Sequence, residues 1–129
     1  MKQVIIGHYS LGPQQVHLVL REGYGGEFYS QPADGEVPRI KVGADYKSWS
    51  SVVGALHHEA MEFAMTQTRV RYSPSPDYSC GHDGYVFIMT HPQFSEVGAR
   101  VSEFLADCLP DVSRAWSRWQ KAAKRNSRR

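Results

Sequence analysis

Leu56-His57-His58-Glu59-Ala60-Met61-Glu62-Phe63-Ala64-Met65 is the stretch on which the fold turns. It lies inside a run from Trp49 to Thr68 that reads as one helix, capped by Asp45 or Ser48 and finished by Thr66-Gln67-Thr68, before Pro74. Helical residues follow one another at about 100°, so His58 and Glu62, four apart, project from one face one turn from each other. Glu59 is rotated to the flank of that pair, where it can hold a water lying over the pair without being a ligand. An imidazole and a carboxylate side by side make a helical zinc site: His58 to Glu62 spells H-E-x-x-E, the logic of H-E-x-x-H with Glu in the second His place.

Two apolar surfaces are predicted on this helix. Val52, Leu56, Ala60 and Phe63 line one, and Gly54, Ala55, Met61 and Met65 surround His58 and Glu62 on the other. A helix apolar nearly all round is buried on more than one side, and a buried carboxylate requires a partner or a metal. The competing reading makes His57 and His58 ordinary, partly buried histidines, with Glu62 paired to an arginine.

Outward toward the N-terminus, the residues have strand character. Val4-Ile5-Ile6 and Val16-His17-Leu18-Val19-Leu20 are rich in β-formers, with turn chemistry at Leu11-Gly12-Pro13 between them, so a hairpin is predicted. Glu27 to Ser30 is a short strand, and Pro32-Ala33-Asp34-Gly35 a turn. Pro38-Arg39-Ile40-Lys41-Val42 alternates apolar and basic residues, predicting a strand with one solvated face at a sheet edge. Gly23-Tyr24-Gly25-Gly26 lacks the G-x-x-x-x-G-K-[ST] pattern and opens no helix, so it reads as a turn and not a phosphate loop. His8 and His17 fall in this sheet and read as structural.

Outward toward the C-terminus, Ser73-Pro74-Ser75-Pro76-Asp77 reads as an extended loop. Tyr85-Val86-Phe87-Ile88-Met89 is a continuous apolar run, predicting a central strand covered on both faces. His91 follows at a strand-to-helix junction, with Pro92 opening a helix at about Gln93. Phe94, Val97, Val101, Phe104, Leu105 and Cys108 give that helix an apolar stripe, and Pro110 is predicted to end it. Val112, Ala115, Trp116, Trp119 and Ala122 continue in a second C-terminal helix.

The fold class is therefore α+β: N-terminal antiparallel strands, a long buried motif helix, a further central strand and two C-terminal helices. At 129 residues with 41% hydrophobic content the chain suits one domain. Residues 1–113 form its body and 114–129 a basic helix or tail attached to it. No apolar run reaches the roughly 20 residues of a membrane span, and the N-terminus turns polar too soon for a signal peptide, predicting a soluble, intracellular chain. Cys80 and Cys108 form no C-x-x-C pair, so free or buried thiols are expected. The formal charge of +2 conceals an asymmetry: from Arg114 onward there are seven bases and no acid, whereas the preceding residues hold eight bases against thirteen acids. Such a tail is either a solvated terminal helix or an attraction for nucleic acid or an acidic protein surface.

A catalytic zinc ordinarily has three protein ligands and one open position. With His58 and Glu62 supplying two, His91 is the first choice for the third, because the intervening loop and strand can return the chain across the helix. His82, in the Cys80-Gly81-His82-Asp83-Gly84 turn, is the next, followed by Asp83 or Cys80.

In this order of elements, with L-H-H-E-A-M-E-F-A followed by G-Y-V-F-I-M-T-H-P-Q-F, the chain resembles a minimal zincin, the metallopeptidase fold in which a sheet packs beside the motif helix. It is also similar to small proteins of bacteriophages and prophages over about a third of its length. The resemblance implies His58 and Glu62 as ligands, Glu59 as general base, a downstream His as third ligand, a peptide or protein substrate, and the host cytoplasm as location. Glu in place of the second His makes a more anionic site with weaker Lewis acidity. Tyr85 or His82 is the candidate to stabilise an oxyanion. The alternative is a phage-encoded binding or inhibitor module on the same scaffold, docking on a host protein or nucleic acid through its basic tail without chemistry.

Overall fold

A computed structural model describes residues 2–33, 35–72 and 86–128. Their class is α+β: a four-stranded mixed sheet and two helices. β1 (Gln3–Leu11) and β2 (Gln14–Arg21) form the expected hairpin about Gly12 and Pro13, longer at both ends than the apolar runs suggested. β3 (Gly26–Tyr29) and β4 (Arg39–Gly43) complete the sheet in the order β1-β2-β4-β3, with β4 parallel to β2 and antiparallel to β3.

β4 is thus interior, not the edge strand its alternating bases suggested. Alternation reports which face meets solvent, and Arg39 and Lys41 do face outward; it carries no information on lateral neighbours. The chain leaves β2, skips one strand position through residues 22–25, runs back as β3, and then threads β4 into the gap. The threading is tight at its end. Gly43 N–H donates to the Gly25 carbonyl at 2.8 Å and Ala44 N–H to the Arg21 carbonyl at 2.8 Å. A Cβ at Gly43 would lie 2.3 Å from the Gly23 carbonyl oxygen, so any larger residue there would push the turn off the strand.

Alternation divides the sheet into two faces. Val16, Leu18 and Leu20 of β2 and Ile40 and Val42 of β4 point into the core, each at most 1% exposed. The other face carries polar pairs: in register, the His8 and His17 rings stack at 3.8 Å and the Arg39 guanidinium lies 4.1 Å over the Tyr29 ring, and out of register Arg21 of β2 reaches Glu27 of β3 at 2.6 Å.

Both helices cover the core face. α1 (Trp49–Gln67) is capped by Ser48, whose hydroxyl accepts from Ser51 N–H at 3.2 Å, and it packs over β3 and β4. Val52, Leu56, Ala60 and Phe63 are buried as expected. Of the second face only Met65 is buried: Gly54 and His58 are exposed, and Ala55 and Met61 are only half-buried.

α2 (His91–Ser127) departs from expectation in being one helix of 37 residues with Pro110 inside it. Its start is a capping box. The Thr90 hydroxyl accepts from Gln93 N–H at 3.3 Å, the Gln93 side chain accepts from Thr90 N–H at 2.8 Å, and Pro92 occupies the first turn. The helix continues through Pro110 because its apolar stripe does. Val97, Val101, Phe104 and Cys108 before the proline, and Val112, Ala115 and Trp119 after it, are all buried in the same core. Anchors beyond Pro110 hold it down: Trp119 Nε1–H donates to Asp45 at 3.0 Å, Trp116 Nε1–H to the Tyr46 carbonyl at 3.2 Å, and the Tyr9 hydroxyl to Asp111 at 2.6 Å. Asp45 also accepts from Gly23 N–H at 2.6 Å, and these two bonds hold its carboxyl below the usual range. Burial pushes the Cys108 thiol up to about 12, which leaves it an inert core residue. Cys80 lies outside the described residues.

The apolar run ending at Met89 does not form a central strand. Among the described residues β5 (Arg71–Tyr72) and β6 (Val86–Phe87) pair with each other and not with the four-stranded sheet, and Phe87 and Ile88 are 42% and 62% exposed. An apolar run fixes hydrophobicity without naming a neighbour, and both positions beside β4 are already filled by β2 and β3. Among the described residues, no helix is long and apolar enough to cross a membrane.

Candidate metal centre

The motif residues sit on the third and fourth turns of α1, on the side of the helix that faces β3. At helical spacing Val52, Leu56, Glu59 and Phe63 form one line, i, i+4, i+7, i+11, so Glu59 belongs to the buried stripe rather than to a solvated flank. It is 7% exposed. Its side chain passes over the first residue of β3, where Gly26 leaves room for it. His58 and Glu62, both on the same side of that line, lie at the margin: their side chains are 68% and 23% exposed. The site is consequently an edge between core and solvent, with one carboxylate reaching it from beneath and an imidazole and a second carboxylate from above.

His58 Nε2 stands 3.5 Å from Glu62 Oε2. Two atoms bound tetrahedrally at about 2.0–2.2 Å from zinc are roughly 3.3–3.6 Å apart, so this pair is already at chelating separation. One ligand atom from each of His58, Glu59 and Glu62 lies within 4.8 Å of the others. His58 and Glu62 offer one nitrogen and one oxygen, donors that fit zinc and harder divalent ions, with the Glu59 carboxylate beside them. The negative charge of the two carboxylates favours binding and reduces an ion's power to polarise.

Other predicted site residues are placed differently. His91 is the first residue of α2, exposed, with its ring 6.5 Å from that of Phe94, and it stands outside the group. His82, Asp83, Cys80 and Tyr85 lie outside the described residues. Gly23 to Gly25 is a bend leading into β3, which begins at Gly26. The feature that sequence reasoning missed is the burial of Glu59. Its signal was available, since an acid on the line Val52-Leu56-Phe63 interrupts a stripe that is otherwise apolar. Compared with known proteins, the chain matches no family model, no curated protein and no solved structure.

Proposed function

We propose that the protein is a metal-dependent hydrolase of zincin-like type, with His58 and Glu62 as zinc ligands, Glu59 as general base and the amide bond of a peptide or protein as substrate. The observation that carries this reading is the convergence of a buried carboxylate with an exposed imidazole–carboxylate pair inside 4.8 Å. A zinc ion bound by such residues supplies a water acidified to near neutrality and a Lewis acid for the carbonyl.

The chain's own groups have distinct parts. His58, a single turn from Glu62, fixes the nitrogen ligand on the solvent side, and Glu62 neutralises charge beside it. Glu59 approaches from the core side, where contact with β3 restricts its rotation, and its carboxylate accepts the proton of the attacking water and returns it to the leaving amine. A substrate would approach from the solvent side, where the His58 side chain is 68% exposed.

Elemental analysis of the purified chain tests the site. One zinc per chain, lost in His58→Ala, is the expected result. Cleavage of a mixed fluorogenic peptide library, lost in Glu59→Gln with zinc retained, supports the base. Loss of zinc from Glu59→Gln makes Glu59 a ligand and overturns its catalytic role. A folded chain that takes up no zinc overturns the proposal and leaves the binding-module reading.

A further inference from the structure

The C-terminal part of α2 carries a feature unrelated to the metal centre. Arg114, Arg118, Lys121, Arg125 and Arg128 follow one another at i, i+4, i+7, i+11 and i+14, and all five are exposed. At about 100° per residue they fall within about 40° of a single line, and at about 1.5 Å per residue the line is about 21 Å long. Lys124 flanks it. No acid occurs after Asp111, so beyond the Arg114–Asp111 ion pair the row is uninterrupted positive charge. Lys124 and Arg125 also lie in the last turn, where the helix dipole favours cations and supports the helix right to its end.

We infer that this row is a docking surface for the phosphate backbone of a nucleic-acid duplex, bound without regard to sequence. Three observations select that occupant. The opposite face of the same segment is already used: Val112, Ala115 and Trp119 are buried against the body, so no apolar face remains to enter a bilayer. The segment's two aromatic rings are turned inward, with Trp116 Nε1–H bonded to the Tyr46 carbonyl and Trp119 Nε1–H to Asp45, so no platform is offered on which unpaired bases would stack. The row itself lies along one continuous helix, and its guanidinium and ammonium groups are the usual partners of backbone phosphate oxygens. The rest of the chain, with thirteen acids against eight bases, repels phosphate and leaves this row as the face presented.

With Arg114 engaged by Asp111, four bases are available for phosphates. Four contacts give a slope of log Kobs against log salt of about −3.6, or a loss of affinity of roughly 150-fold between 50 and 200 mM salt. The test is fluorescence anisotropy of the full chain with labelled duplexes of two unrelated sequences, across that salt range. Equal binding of both, with this slope, is expected, and the triple variant Arg118→Glu/Lys121→Glu/Arg125→Glu should bind neither while keeping its helical circular dichroism. Single Arg118→Ala should reduce the slope by about 0.9. The inference is overturned by no binding at 50 mM salt, by retained binding in the triple variant, or by tighter binding of single strands than of duplex. It is likewise overturned if phosphatidylserine vesicles are bound and duplex is not, or if low salt produces only self-association through the acidic body. Zinc chelation should leave the binding unchanged, so its outcome is separate from that of the metal site.

Discussion

Gly26→Ala tests whether β3 holds Glu59 in place. A Cβ at Gly26 would stand 2.8 Å from Glu59 Cγ, 3.3 Å from Glu59 Cδ and 3.0 Å from the Lys41 carbonyl oxygen. The carbonyl belongs to β4, the strand paired on both sides, and cannot retreat. The Glu59 side chain must therefore yield, out of a position where it is 7% exposed. Overpacking of this kind costs about 1–3 kcal/mol, and the smaller entropy of the unfolded alanine chain returns about 0.4–1 kcal/mol of it. A net loss of about 0–2.6 kcal/mol is expected in urea denaturation, with an unchanged m-value. The diagnostic quantity is the coupling. In a Glu59→Ala background Cγ and Cδ are gone, so Gly26→Ala should cost at least about 1 kcal/mol less than in the parent chain. Peptide cleavage by Gly26→Ala should fall at least about tenfold with zinc retained, because the base is displaced from its position. Equal costs in both backgrounds, with unchanged cleavage, would refute the idea that Gly26 and Glu59 are a matched pair.

Two further outcomes concern stability. Burial, and secondarily His8 stacked on it, lowers the pKa of His17, so between the folded and the ordinary values the unfolded chain binds the proton that the folded chain refuses. Stability should be complete above about pH 6.5 and decline as pH falls through that value; His17→Gln should flatten the decline in denaturation midpoints, and an unaltered profile would remove His17 as its source. Pro110→Ala restores a helical hydrogen bond in the middle of α2, where proline is disfavoured by about 3 kcal/mol. A gain on the order of 1–3 kcal/mol is expected by the same assay, and a loss would mean that the helix is bent there to a purpose.

What could be read from the sequence was periodicity, and what could not was adjacency. The hairpin, the limits of α1 and its buried line Val52-Leu56-Ala60-Phe63 follow from spacing and turn residues within one segment, and each is found. β4 and the run ending at Met89 show where spacing ends. Arg39-Ile40-Lys41-Val42 marks a half-solvated strand and Val86-Phe87-Ile88 an apolar one, yet the first lies inside the sheet and the second outside it. Lateral position depends on how residues 22–25 skip a strand, and no pattern internal to either strand encodes that. Pro110 is a different case, because the information was present and a local rule concealed it. Buried positions 97, 101, 104, 108, 112, 115 and 119 advance by three or four residues without a change of phase across the proline. A true break would free the second segment to restart on another phase, so unbroken phase is the stronger sign, and packing on both sides outweighs one missing hydrogen bond. The same reasoning applied to α1 places Glu59 on the core side. There Glu59 is 7% exposed, while His58, one residue earlier on the same helix, faces solvent.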